Sequence, residues 1–81
     1  MTDRTISKEM QNSINSRILE IIKENHMTKQ EFADAINISI TTLYQWSLEK
    51  ARVSLNIVVK ICETFNVSAD WLIFGEGDMH W

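Results

Sequence analysis

The sequence contains no proline, and its only two glycines, Gly75 and Gly77, lie close to the C-terminus. Tight β-hairpins depend on turns built from glycine, proline or Asn-Gly and Asp-Gly pairs, and the body of the chain has none of these. Their absence disfavours a β-sheet. Short helices joined by Asn, Ser and Thr residues fit the sequence better.

Cysteine, histidine and long apolar runs are also scarce. The single Cys62 cannot form an internal disulfide, which suits a reducing compartment, and His26 and His80 are too far apart to suggest a metal site. No run approaches the roughly 20 apolar residues that cross a bilayer, and no signal peptide is indicated. The body also lacks a Gly-rich loop. We therefore expect a cytoplasmic protein that is not an enzyme and uses no metal, cofactor or membrane.

Positive charge is in short supply, with 8 Lys and Arg against 11 Asp and Glu and a formal net charge of −3. This balance argues against a general nucleic-acid binder, because non-specific binding depends on a basic surface. The 81 residues are 44% hydrophobic, which is sufficient for a compact core. They predict a single domain spanning residues 1–81.

The sequence does contain a regular series of helix caps. Thr28 and Glu31 have the spacing of a capping box, in which each side chain bonds the other residue's amide. Asn37 and Asn66 stand where helices would end with a positive φ. The other predicted caps are Ser7, Ser39, Ser54 and Ser68. Together they predict an all-α chain.

Apolar residues recur between these caps at helical spacing. The stripe of the first predicted helix contains Met10, Ile14, Ile18, Ile21 and Ile22. The stripe of the fourth contains Leu55, Val58, Ile61, Cys62 and Phe65. The segment "ISITTLY" is rich in β-branched residues and fits a strand by propensity alone. We predict a helix there, because a strand has no suitable partner in this chain.

The segment 28–48 has the organisation of a helix-turn-helix, with a tight turn at Asn37. The spacing predicts that the second helix of this pair turns Thr42, Leu43 and Trp46 toward the core. Its outward residues are Ile40, Thr41, Tyr44, Gln45 and Leu48. A solvated helix face normally carries Glu and Lys. An uncharged face with Tyr and Gln is more typical of a contact surface.

The sequence resembles the lambda-repressor-like helix-turn-helix domains of the Cro and XRE type, as found in phage repressors. The resemblance runs from about Ser16 to Asp78 and is carried by "MTKQEFADAINISITTLYQW", by Ser54–Leu55 and by "FNVSADWLIFGEG". It implies a compact bundle of five short helices. We expect a flexible N-terminal segment at 1–8, the helix-turn-helix at 28–48 and a C-terminal tail at 75–81.

The resemblance also implies that the third helix lies in the major groove of double-stranded DNA. Transferred position by position, the base-reading residues are Ile40, Thr41 and Gln45. Ser39 and Tyr44 would contact phosphates. The cations expected to assist them are Lys29, Lys50 and Arg52.

Several positions depart from the family pattern. The Arg of the first helix and its Glu partner are Ile22 and Ser47 here, which suggests a repacked neutral contact because both partners are replaced together. The Gly that usually closes the third helix is Glu49, and the Pro before the fourth helix is Val53. The loop 47–53 is therefore expected to differ in shape. Glu49 would also place a negative charge close to phosphate, which argues against Lys50 and Arg52 as contacts.

Two functions remain open from the sequence. The first is a transcriptional repressor that binds a palindromic operator as a homodimer, through a seam containing Trp71, Leu72, Ile73 and Phe74. The second is a protein-interaction module on the same fold, such as an antitoxin or an oligomerisation domain, which the acidic balance favours. The arrangement of Lys29, Lys50 and Arg52 around the third helix distinguishes them.

Overall fold

The computed structural model of the protein describes residues 8–48 and 50–80. These residues form five α-helices: α1 (Lys8–Glu24), α2 (Lys29–Ala35), α3 (Ile40–Ser47), α4 (Leu55–Phe65) and α5 (Ala69–Phe74). The predicted all-α bundle of five short helices is confirmed. The sequence predicted a flexible segment at 1–8 and a helix cap at Ser7. Residues 1–7 lie outside the described residues, and Lys8 is the first residue of α1. Glu49 and Trp81 also lie outside them.

Each of the last four helices begins at its predicted cap. The Thr28 hydroxyl accepts from the Glu31 amide at 3.1 Å, and the Glu31 carboxylate accepts from the Thr28 amide at 2.7 Å, which completes the capping box. Ser39, Ser54 and Ser68 cap α3, α4 and α5 in the same way, each accepting from the amide three residues later. Such a cap stabilises a helix by about 1 kcal/mol.

The connections after α1, α2 and α4 each contain a residue with positive φ, which the sequence predicted at Asn37 and Asn66 but not after α1. These are His26 at 53°, Asn37 at 60° and Asn66 at 59°. Asparagine tolerates this left-handed conformation better than most residues, because its short polar side chain can bond locally. The turns therefore form without glycine.

The core lies between α1 and the other helices, with α1 packed against α5 and α3. Its largest fully buried side chains are Trp46, Phe32, Ile14, Ile18, Ile21, Ile36, Ile61 and Leu72. The rings of Phe32 and Phe65 stack with their centroids 5.2 Å apart and join α2 to α4. The buried residues of α2 and α3 belong to this core, so packing holds the helix-turn-helix in place.

Leu55 departs from the predicted apolar stripe of α4, since 70% of its side chain is exposed. It is the first residue of α4, where side chains lean back past the start of the helix. Val53, in the segment before the helix, is buried instead. The prediction that Leu55 belongs to the core is therefore wrong.

The segment 75–80 is folded back on the bundle, whereas the sequence suggested a tail at 75–81. The Ser68 amide donates to the Met79 carbonyl at 2.7 Å, and Val67 pairs with His80 in an antiparallel bridge. Gly75 and Gly77 adopt φ values of 71° and 76°, which let the chain reverse after α5. This reversal depends on contacts that local sequence patterns do not reveal.

A long-range contact from Arg17 in α1 holds the end of α5. One guanidinium nitrogen, Nη1, donates to the carbonyls of Leu72 and Ile73 at 2.9 and 3.1 Å. The last carbonyls of a helix have no partner within it, and a cation near them is favoured by the helix dipole. Arg17 therefore stabilises a helix of only six residues.

We predict that Gly75→Ala destabilises the protein more than Gly77→Ala. Both substitutions put alanine at positive φ, at a cost of about 1–2 kcal/mol. Only at Gly75 would the new Cβ meet the Arg17 guanidinium, 2.6 Å from Nη2, whereas nothing lies within 4 Å at Gly77. Displacing Arg17 should lower the free energy of unfolding of the Gly75→Ala variant by about 1 kcal/mol more. Urea unfolding measures the difference between the two variants.

An Arg17→Met background serves as the control for this comparison. In that background the guanidinium is gone, and the two alanine variants should differ from their parent by the same free energy. Equal destabilisation by the two alanines in the presence of Arg17 would show that the guanidinium contact does not hold α5.

Candidate nucleic-acid interface

The turn between α2 and α3 is fixed by backbone hydrogen bonds. The Ile38 amide donates to the Ala33 carbonyl at 2.9 Å, and the Asn37 amide donates to the Asp34 carbonyl at 3.2 Å. The Ser39 hydroxyl then caps the start of α3 by accepting from the Thr42 amide. These bonds set the direction in which α3 leaves the turn.

The two faces of α3 separate as the sequence predicted. Leu43 and Trp46 are each 2% exposed and anchor the helix to the core. The outward residues Thr41, Tyr44, Gln45 and Leu48 are exposed, whereas Ile40 and Thr42 are half-buried. Ile40 therefore offers only part of its side chain to a partner. The exposed face carries hydrogen-bonding and apolar groups, and no residue of α3 is charged.

Lys29, the first residue of α2, lies beside this outward face. Its Nζ is 5.5 Å from the centroid of the Tyr44 ring, within the range of a cation–π contact. The contact places the ammonium next to α3. Of the predicted cations, Lys29 is thus brought to the outward face by a defined interaction.

The acidic residues of α2 are engaged with α2 itself. The Glu31 carboxylate accepts from the Thr28 amide, and Asp34 Oδ1 accepts from Gln30 Nε2 at 2.9 Å. Both carboxylates are exposed and lie near the N-terminal half of the helix-turn-helix. Each carboxylate therefore has a hydrogen-bond partner within α2 or its cap.

The loop after α3 is held at both ends. The Lys50 amide donates to the Gln45 carbonyl at 2.8 Å, which attaches the start of the loop to α3. The Val53 amide donates to Gln11 Oε1 at 3.0 Å in a buried contact with α1. The side chains of Lys50 and Arg52 are exposed between these points. Glu49, whose charge the sequence singled out, lies outside the described residues.

Ser47, one of the two positions at which the family has an ion pair, makes a different polar contact. Asn15 Nδ2 donates to Ser47 Oγ at 3.4 Å and joins α1 to the end of α3. Ile22 is buried in the core. Ser47 thus has a neutral partner in Asn15, which was not identified from the sequence.

Sequence reasoning missed Gln11 as well as Arg17. Gln11 is fully buried, and it lies three residues before Ile14 on the apolar stripe of α1. A polar residue at a core position is the signal that could have revealed it, because buried polar groups normally have a specific partner.

Cys62 does not contribute reactive chemistry to the surface. Burial raises the pKa of its thiol, and the adjacent Glu63 carboxylate raises it further. The thiol therefore stays protonated near neutral pH and behaves as a small apolar group. Within the described ranges 8–48 and 50–80, no group of three or more His, Cys, Asp and Glu residues is arranged to hold a metal ion.

A second surface feature lies between α4 and α5. It is a groove of about 570 Å³ whose lining combines apolar and acidic residues. The apolar lining includes Leu55, Val59 and Ile73; the acidic lining consists of Glu63, Asp70 and Asp78. We call this surface the α4–α5 groove. It is separate from the outward face of α3.

The model of the helix-turn-helix family matches residues 18–72, which include α2, α3 and α4 completely. The chain belongs to the helix-turn-helix family of the Cro and XRE type. This assignment agrees with the resemblance carried by "MTKQEFADAINISITTLYQW", and members of the family are DNA-binding transcription regulators. No curated protein and no solved structure matches the chain significantly. Across residues 8–48 and 50–80, no helix is both long and apolar enough to cross a membrane.

We predict that Gln11→Met lowers the free energy of unfolding by about 1–3 kcal/mol, because the buried Val53 amide loses its acceptor. Denaturant unfolding measures the change. Asn12→Met is the matched control, since Asn12 is exposed on the same helix. If both variants lost the same stability, the contact with Val53 would not support the loop.

Proposed function

We propose that the protein is a sequence-specific DNA-binding transcriptional regulator whose α3 helix enters the major groove. The observation that carries this proposal is the construction of α3. The helix is capped by Ser39, anchored by Leu43 and Trp46, and turned so that Thr41, Tyr44 and Gln45 are exposed. Base recognition requires hydrogen-bonding side chains held in a fixed orientation. The exposed residues supply the hydrogen-bonding groups, and the cap and the two buried anchors fix the orientation of the helix. A cytoplasmic location follows from this function.

The individual roles divide into base reading and phosphate contact. Ile40, Thr41 and Gln45 would face base edges, because residues near the start of a recognition helix lead into the groove. Ser39 and Tyr44 would contact phosphates. The cations Lys29, Lys50 and Arg52 would contact the backbone of the duplex.

The net charge of −3 is compatible with this division. Phosphate contacts position a protein on DNA, whereas neutral side chains can read bases. Lys29 supports the argument, since its ammonium lies over the Tyr44 ring and therefore beside the reading face. We expect binding to remain salt-dependent but with a small number of phosphate contacts.

We further propose that the protein is a repressor that binds a palindromic operator as a homodimer. Leu72 is fully buried, so it cannot belong to the seam expected from the sequence. Trp71 is half-buried, so only part of its side chain is available to a partner. Exposed apolar side chains favour instead a seam at the α4–α5 groove, with Phe74 as a further exposed apolar residue on α5. Leu55, Phe74 and Val59 are 70%, 58% and 47% exposed. Such clusters commonly mark interfaces.

The α4–α5 groove also favours a second candidate function. Its lining combines the acidic residues Glu63, Asp70 and Asp78 with apolar side chains, which suits a partner protein with basic and apolar side chains. The protein would then be an interaction module on the same fold, such as an antitoxin. Binding of DNA through α3 distinguishes the first function from this one.

The proposed function is tested by selecting bound sequences from a random duplex pool at low salt. We expect enrichment of one motif with two inverted half-sites about one helical turn apart. If no motif is enriched, the protein is not a sequence-specific DNA-binding regulator and the interaction module is favoured.

We predict opposite behaviour for two substitutions on the enriched sequence. Gln45→Ala should relax the preference at one base position and weaken the preferred site by about 1–3 kcal/mol. Lys29→Ala should weaken all sequences alike and reduce the salt slope by about one. Competition binding at several salt concentrations measures both. Equal weakening of every sequence by Gln45→Ala would contradict its role as a base reader.

We also predict that Leu55→Ser reduces self-association by at least tenfold, on the order of 1.4 kcal/mol or more, because it removes exposed apolar area from the seam. Sedimentation equilibrium measures the dimer dissociation constant. Leu19→Ser provides the matched control, since Leu19 is an exposed leucine on α1 outside the groove. An unchanged constant for Leu55→Ser would exclude this seam.

A further inference from the structure

We infer that the base pairs read by α3 are A·T pairs, an inference that rests on the proposed function above. The major-groove edge of each base pair presents its own set of donors, acceptors and methyl groups. The side chains on the outward face of α3 can therefore be compared with each edge. The comparison favours adenine and thymine over guanine and cytosine.

Guanine has no two-donor Arg or Lys partner on α3. Its major-groove edge presents two acceptors, N7 and O6, which Arg or Lys recognises by donating two hydrogen bonds. Neither residue occurs in α3, whose sequence is ITTLYQWS. The side chains that most often accept from the cytosine amino group, Glu and Asp, are also missing from this helix. A G·C pair would thus find no matching charged partner on the reading helix.

Adenine matches Gln45. A glutamine amide contains one acceptor and one donor group, and adenine presents the complementary N6 donor and N7 acceptor side by side. Gln45 is exposed on the same face as Thr41 and Tyr44, one turn after Thr41. Its backbone is fixed, since its carbonyl accepts from the Lys50 amide at 2.8 Å. The amide is therefore presented from a defined position on the helix.

Thymine matches the start of the helix. Thymine is the base with a methyl group in the major groove, and apolar side chains or the methyl of threonine pack against it. Ile40 is half-buried against the core, and Thr41 is exposed beside it. Both present branched methyl groups at the end of α3 that leads into the groove.

The nearby cations are placed to contact phosphates. Lys29 is at the start of α2, the helix that crosses the DNA backbone in this motif, and its ammonium lies over the Tyr44 ring. Lys50 follows the opposite end of α3 from Ile40 and Thr41. We therefore assign Lys29 and Lys50 no part in reading guanine.

The first test uses the motif enriched from the random pool. Consecutive A·T pairs are expected in the part of each half-site that α3 contacts. Replacing the thymines there by deoxyuridine removes the methyl groups and leaves the hydrogen-bonding edge unchanged. Replacing adenine by 7-deazaadenine removes the N7 acceptor. Each replacement should weaken binding by roughly tenfold.

Variants at Gln45 supply the matched comparison. Binding of Gln45→Ala should be insensitive to 7-deazaadenine at the position where the wild-type protein is weakened. Gln45→Arg should change the preference at that position from adenine to guanine, because arginine supplies two donors. Gln30→Arg, the same substitution on the exposed surface of α2, should strengthen binding to all sequences without changing the preferred base.

The outcomes separate the inference from the function on which it rests. An invariant G·C pair at the contacted positions, or full affinity for the deoxyuridine and 7-deazaadenine duplexes, would overturn the inference and leave sequence-specific DNA binding intact. Failure to enrich any motif at low salt would overturn both.

Discussion

The anchorage of α3 by Trp46 and Leu43 is the contact on which the rest of the surface depends. Both side chains are 2% exposed and lie on one side of an eight-residue helix. A helix of this length is not stable alone in water, so its conformation comes from packing and from its cap. Because the apolar side is fully used by the core, the remaining side is presented in one orientation.

Three further contacts hold the segments on either side of α3 in place. The capping box of Thr28 and Glu31 fixes the start of α2, and the Asn37 turn directs the chain into α3. Gln11 accepts from the Val53 amide and holds the far end of the loop that follows α3. Together they restrain the helix-turn-helix before any partner binds, which reduces the entropy lost on binding.

The features that the sequence predicted correctly are local ones. The caps at Ser39, Ser54 and Ser68 and the positive φ of Asn37 depend on residues within one or two turns, so spacing alone reveals them. The inward and outward faces of α3 also follow from its periodicity. These features were sufficient to predict the five helices and the exposed residues Thr41, Tyr44, Gln45 and Leu48, but not the partial burial of Ile40.

The missed features are contacts between distant parts of the chain. Arg17 bonds the carbonyls of Leu72 and Ile73, more than fifty residues away, and no periodic pattern marks that pairing. Leu55 fits the spacing of α4 but lies past the edge of the core. Periodicity gives the direction of a side chain but does not show where the core ends, which tertiary packing decides.

The central claim is that the neutral outward face of α3 contacts DNA. Amide chemical-shift changes on addition of duplex DNA at low salt test it most directly, with a duplex of at least two helical turns. We predict that the largest changes occur at Thr41, Tyr44, Gln45 and Lys29. Unchanged α3 amides at saturating duplex, with or without changes elsewhere, would contradict the claim.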